Sequence, residues 1–157
     1  MTRNRRMQID IQIDAAEAPE PDSIIAWAEW ASGELNDGLA LTQDTELSIQ
    51  VVDEPAIQQL NRDYRHQDKP TNVLSFPYEA MPGIDLPLLG DIVLCAPVIA
   101  REAREQGKAL ADHWAHMTVH GVLHLRGYDH IEEAQAEEME ALERGILAKH
   151  GVGNPYE

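Results

Sequence analysis

Apolar and polar positions alternate along Gln8-Ile9-Asp10-Ile11-Gln12-Ile13, the period-two pattern of a half-buried strand. The period then lengthens. Ile24, Trp27, Ala28, Ala31 and Leu35 recur every three or four residues behind the capping candidates Asp22 and Ser23, which predicts a helix. Leu47, Ile49 and Val51 alternate again as a second strand. Asp53, with Pro55 just behind it, opens a helix that carries Ile57, Leu60 and Tyr64 on one face. Val73-Leu74-Ser75-Phe76 reads as a short strand, followed by a loop punctuated by Pro77, Pro82, Gly83 and Pro87. Ile92-Val93-Leu94-Cys95 is apolar on both faces and is expected inside the sheet. A helix beginning at Pro97 is stopped by Gly107. Residues 109–126 form the next helix, with Leu110, Trp114, Met117, Gly121 and Leu125 along one stripe and Gly127 as its break. A last helix, about 132–149, packs through Met139, Leu142 and Ile146 and ends at Gly151. Glu132, Glu133, Glu137, Glu138, Glu140 and Glu143 are expected on its solvated face. Trp27, Trp30 and Trp114 are expected in the core.

This order predicts an α+β fold: one domain over residues 1–157, a small mixed sheet covered by helices, and a histidine-bearing helix followed by a glycine turn. A chain of 157 residues with 43% hydrophobic and 25% charged positions is long enough for an ordinary core. The longest apolar stretch, Ile92 to Ala100, contains Pro97 and falls well short of the ~20 residues of a membrane span. The basic start MTRNRRM lacks the apolar segment of a signal peptide, and a lone Cys95 excludes an internal disulfide, so a reducing cytoplasm is expected.

The net charge of −16 argues against a protein that grips nucleic acid over a broad basic surface. The charge is unevenly spread. No Lys or Arg lies between Met7 and Asn61, and then Arg62, Arg65 and Lys69 come close together. A local basic site on an acidic body is compatible with this distribution.

The segment with the most chemistry is His120-Gly121-Val122-Leu123-His124-Leu125-Arg126-Gly127-Tyr128-Asp129-His130. His120 and His124 stand one helical turn apart, so both imidazoles leave the same face and are spaced to hold one metal at ~2.0–2.1 Å per nitrogen. A third ligand further along a straight helix would be carried away; Gly127 permits the chain to turn back so that His130 closes the site. Three histidines without a fourth protein ligand describe a catalytic zinc site, whose open position binds water and favours hydrolysis. His116 is either an outer partner of this site or a structural or surface histidine. Asp91, beside Gly90, either orients a ligand imidazole or makes a structural hydrogen bond. Metzincin proteases share the glycine spacing, but they carry a Glu general base directly after the first His, where this chain has Gly121.

HGVLHLRGYDH closely resembles the histidine motif of the YbeY family, bacterial metal-dependent endoribonucleases of ribosomal RNA maturation. Leu60-Asn61-Arg62-Asp63-Tyr64-Arg65, the run Lys69-Pro70-Thr71-Asn72-Val73-Leu74-Ser75-Phe76-Pro77, and Leu89-Gly90-Asp91-Ile92 agree with it in the same order. The likeness extends from about Leu47 to Tyr156, and Asn72 replaces the Asp often found there in the family. The resemblance implies a YbeY-like hydrolase domain with one Zn2+ per chain on His120, His124 and His130, and a functional arginine at Arg65. A guanidinium there would bind phosphate through two parallel hydrogen bonds and counter charge in the transition state. Arg62 and Lys69 are candidate RNA contacts.

The implied activity is zinc-dependent cleavage of single-stranded RNA, not DNA, in 3′-end maturation of small-subunit ribosomal RNA and ribosome quality control. Its partners would be ribosomal RNA and the small ribosomal subunit or its proteins, in the cytoplasm, with no membrane. The attacking group is either water or the 2′-hydroxyl of the RNA. Two other readings stand beside it: a non-catalytic ribosome-assembly factor with a structural metal, which the charge favours, and a zinc peptidase, which Gly121 disfavours. With at most four phosphate contacts, from Arg62, Arg65, Lys69 and Arg126, RNA affinity should fall only shallowly with salt, at a log–log slope of about −3 or weaker.

Overall fold

The computed structural model describes residues 7–33, 45–77, 88–125 and 133–156. The elements are β1 (Met7–Ile13), α1 (Pro21–Gly33), β2 (Thr45–Val52), α2 (Glu54–Arg65), β3 (Val73–Pro77), β4 (Leu88–Cys95), α3 (Ala96–Gln106), α4 (Leu110–Leu125) and α5 (Glu133–Lys149). The strands form one sheet in the order β1-β2-β4-β3. β1 and β4 run parallel to β2, and β3 runs antiparallel to β4. The fold is therefore α+β with a small mixed sheet, as the alternation of periods predicts.

Side-chain alternation divides the sheet into two faces. Leu47, Ile49, Val51, Ile92 and Leu94 pack with Trp27 and Ala28 of α1, Trp114 and Val122 of α4, and Met139 and Leu147 of α5 in the larger core. Val52, Leu74, Val93 and Cys95 pack on the other side with Ile57 of α2 and Val98 of α3. Cys95 is fully buried, and that burial pushes its thiol up, so it is no candidate ligand. Trp27 and Trp114 are core residues as expected. Trp30 is only half-buried, and its ring stacks on His150 with centroids 4.1 Å apart and planes 2° from parallel.

Several boundaries differ from the sequence reading. α1 begins at Pro21, with Ser23 N–H donating to the Glu20 carbonyl at 3.0 Å, so Asp22 lies inside the first turn and does not cap it. β4 begins at Leu88, four residues before the apolar run, because pairing with β2 continues across a register shift between Glu46 and Leu47. Gly90 makes this extension possible. Its φ is +145°, and a Cβ there would stand 2.4 Å from the Phe76 carbonyl oxygen and 2.8 Å from Leu125 Cδ2. Gly90→Ala should thus cost about 3 kcal/mol through strain and overlap. Thermal melting should show this as a midpoint lowered by about 6–12 °C. Gly107 behaves as predicted: it is left-handed at φ 66° and its N–H returns to the end of α3. Leu35, the loop at 78–87 and the turn at 126–132 lie outside the described residues, as does His130.

Among the described residues, no helix is long and apolar enough to cross a membrane.

Candidate metal and phosphate site

α4 runs through the centre of the molecule. From His113 to Leu125 every side chain is buried except His120 and His124. This stretch is buried almost all round because sheet, α1, α3 and α5 surround it. One turn apart, these two histidines are its outlet to solvent. Their ring centroids are 4.9 Å apart with planes at 71°, so both imidazoles converge on one place.

That place is the floor of a cleft of about 420 Å³, walled by Asn61, Arg65, Gln67, Lys69, Thr71, Asn72, Val73, Leu74 and Ser75. The wall follows from the way α2 ends. His66 takes a left-handed conformation at φ 59° and returns its N–H to Arg62, and Gln67 N–H bonds the Asn61 carbonyl at 3.2 Å. The chain thereby doubles back across the end of α2. Buried Asn61 donates from Nδ2 to the Lys69 carbonyl at 2.9 Å and fixes the returning loop. Asn72 donates to both oxygens of Glu102, at 3.2 and 3.3 Å, while its own Oδ1 accepts from Val73 N–H at 2.7 Å. An Asp at that position would face Glu102 with like charge, which explains the amide here. His113 completes the chain of contacts by donating to Glu102 at 2.9 Å.

Hydrogen bonding from His113 holds the Glu102 carboxyl below its usual range, against the opposing pull of burial. A carboxyl depressed in the folded state stabilises above its unfolded pKa of ~4.3 and loses that contribution as pH falls through the folded value. Acid unfolding monitored by circular dichroism should therefore begin below about pH 4.3, and in Glu102→Gln this part of the acid sensitivity should vanish.

The cleft gathers four of the residues singled out from sequence: Arg65, Lys69, His120 and His124. Arg62 is not among its walls. It is exposed and lies 3.6 Å from Asp63 and 3.8 Å from Asp68. Asp91 faces the opposite side of the sheet, in a concavity with Ser48, Gln50, Leu60, Tyr64, Phe76 and Val93, so it orients no imidazole of this site. Gly121 presses on Ile92. A Cβ there would stand 3.0 Å from Ile92 Cγ2, so a side chain at 121 would point into the sheet and not into the cleft.

The group that does hold an imidazole is one that sequence reading placed on a solvated surface. Glu143 is fully buried. Its Oε1 is 2.6 Å from His120 Nδ1 and its Oε2 is 2.8 Å from His116 Nε2. The Tyr156 hydroxyl also donates to Oε2. Burial raises the Glu143 carboxyl, but the hydrogen bonds from His116 and His120 and the charge of those rings outweigh it and bring the group down to about 2. Burial, and then Glu143 itself, push the Tyr156 hydroxyl well above its ordinary range, so it remains a donor. The signal was present in the sequence. Glu143 stands four residues after Met139 and three before Ile146, on the stripe that faces the core.

His116, His120 and Glu143 bring three atoms of metal-binding type within 4.8 Å of one another. The donor types suit a borderline-soft divalent cation, with the His120 and His124 imidazoles at the cleft and the buried His116 and Glu143 behind them. The described residues thus combine metal-ligand chemistry with cations, Arg65 and Lys69, on the facing wall.

Comparison with known proteins identifies the family. The family model for Endoribonuclease YbeY matches residues 8–151. Endoribonuclease YbeY of Alteromonas mediterranea is 59% identical over 129 residues, 82% of this chain and 80% of its own length. That of Halorhodospira halophila is 55% identical over 148 residues, 92% of each chain. The solution structure of TM1509 from Thermotoga maritima shares the fold, with a TM-score of 0.56 at 23% identity over 91% of each chain. With a family match over nearly the whole chain and relatives at this identity, the chain belongs to the YbeY endoribonuclease family.

Proposed function

We propose that this chain is a zinc-dependent endoribonuclease that cuts single-stranded RNA in the maturation of small-subunit ribosomal RNA, acting in the cytoplasm as one hydrolase unit. The observation that carries the reading is α4, which from His113 to Leu125 is buried except at His120 and His124, the two residues it presents to a cleft lined also by Arg65 and Lys69. His120 and His124 would hold one ion per chain, with His130 as the third ligand. Zinc held there supplies Lewis-acid polarisation of a phosphoryl oxygen and of the attacking group. Arg65, fixed at the end of α2, binds a non-bridging phosphate oxygen and offsets the charge that grows in the transition state. Lys69 attracts the backbone, as a compact charge without the guanidinium's fork.

Arg62 sits among carboxylates and contributes less than sequence reading allowed. Counting Arg65, Lys69 and Arg126 leaves about three phosphate contacts, and a slope of log affinity against log salt of about −2. On a body of net charge −16 that is weak binding. Specificity then depends on docking to the small ribosomal subunit or its proteins, many of them basic. A salt titration with free single-stranded RNA checks the slope; a value near −7 would require a basic groove absent from the described residues. The substrate class is tested by offering the purified chain single-stranded RNA, duplex RNA and single-stranded DNA of one sequence. Cutting confined to the first supports the reading, and equal cutting of DNA refutes it.

A further inference from the structure

An imidazole binds a cation through the ring nitrogen that carries no proton, and its other nitrogen decides which one that is. In this chain the decision falls on Glu143. A carboxylate accepts hydrogen bonds and donates none, so the ring atoms facing it, His120 Nδ1 and His116 Nε2, carry the protons. We propose that Glu143 is a positioning residue which, held by His116 and Tyr156, locks His120 in the Nδ1–H form and so keeps Nε2 as its cation-binding atom. This rests on the reading of His120 as a metal ligand.

Three features of the geometry support it. First, the contacts are hydrogen bonds and not the edges of a coordination shell. Two ligand atoms on one tetrahedral ion at ~2.0–2.1 Å stand about 3.3 Å apart. The Glu143 oxygens stand 2.6 and 2.8 Å from the two rings. Second, Glu143 is fully buried and its two oxygens take three donors, so the carboxylate is fixed from several directions before any ion arrives. Third, His116 has no other polar engagement among the described residues. Its Nδ1 is buried without a partner, and its Nε2 meets only Glu143 and, at 3.3 Å, the Tyr156 hydroxyl.

The C-terminal segment is thereby part of the site. Tyr156 reaches Glu143 because the chain after α5 folds back over α4. Val152 N–H bonds the Leu147 carbonyl at 2.9 Å, Lys108 Nζ donates to the Pro155 carbonyl, and Tyr156 N–H bonds Asn154 Oδ1 at 2.9 Å. Tyr156 as a residue remains 45% exposed while its hydroxyl reaches the buried Glu143. A residue more than thirty positions beyond His120 thus helps to set the state of that ligand.

The test is zinc affinity, measured on the full chain by competition with a chromophoric chelator, together with long-range proton–nitrogen NMR of the His120 ring without metal. Glu143→Gln should weaken zinc by about 10–100-fold. It should also erode the Nδ1–H form, because the amide can turn its NH2 toward the ring. Tyr156→Phe removes one donor and should weaken zinc by about 2–10-fold. A folded Glu143→Gln protein with wild-type affinity and an unchanged ring would overturn the inference and leave the metal site standing. Should Glu143→Gln fail to fold, Tyr156→Phe decides, and unchanged affinity there overturns it. Wild-type protein that takes up no zinc would overturn the metal reading itself. If His116→Ala lost all metal while His124→Ala kept it, the ion would lie among His116, His120 and Glu143, and both readings would fall.

Discussion

Alanine at His124 should remove the bound metal and reduce RNA cleavage by at least about 10³-fold, since a catalytic ion contributes several kcal/mol to the transition state. Of the two proposed ligands on α4, His124 is the cleaner test. It lines the cleft, half-buried, on a helix whose neighbouring residues are packed without its help. The fold should therefore survive, with a melting temperature close to that of the wild type. His120→Ala should lose metal equally but also cost stability, because it strips one of three donors from the buried Glu143 carboxylate. His130→Ala is expected to behave like His124→Ala. Elemental analysis beside a cleavage assay checks all three, and equal metal in the wild type and every variant would refute the site.

Arg65→Ala should keep metal and fold and lose activity by about 10²–10³-fold, the usual cost of removing one electrostatic stabiliser of a developing anion. The residue is exposed, at the last position of α2, so its loss should move stability by no more than about 0.5 kcal/mol. The effect should fall on turnover more than on binding, because a group that meets charge growing on the phosphate acts mainly in the transition state. Lys should rescue in part, since it restores the charge without the paired hydrogen bonds. Cleavage kinetics with metal content and melting curves decide it; an Arg65→Ala enzyme as fast as wild type removes Arg65 from the chemistry.

Local signals in the sequence carried far where one residue type dictates a conformation or a spacing. Gly107 ends α3 in the left-handed region, and His120 and His124 leave α4 on one side because 3.6 residues make a turn. Partners distant along the chain were not legible in this way. Glu143 looked like one more carboxylate in an acidic helix, yet α5 packs it against His116 and His120 at the heart of the molecule. Asp91 sits beside a glycine near an apolar strand, but the two-residue period of β4 turns it to the face away from the histidines while Ile92 meets Gly121. Arg62 and Arg65 share a helix and a charge. Only the second reaches the cleft, because three residues rotate a side chain by nearly a full turn but also advance it to the end of α2, where the chain doubles back. The early start of β4 depended on a backbone conformation that only Gly90 adopts readily, and the loop prolines upstream hid it.

The central claim is that RNA is cut by a metal-loaded site on α4. Its most direct measurement is cleavage of a single-stranded RNA bearing a small-subunit ribosomal 3′ end, by one preparation of the chain as purified, after chelation, and after zinc is restored. The expected result is cutting as purified, loss of at least about 10³-fold on chelation, and recovery with zinc in the wild type but not in His124→Ala. Equal rates in all three states, or full recovery in His124→Ala, would contradict it.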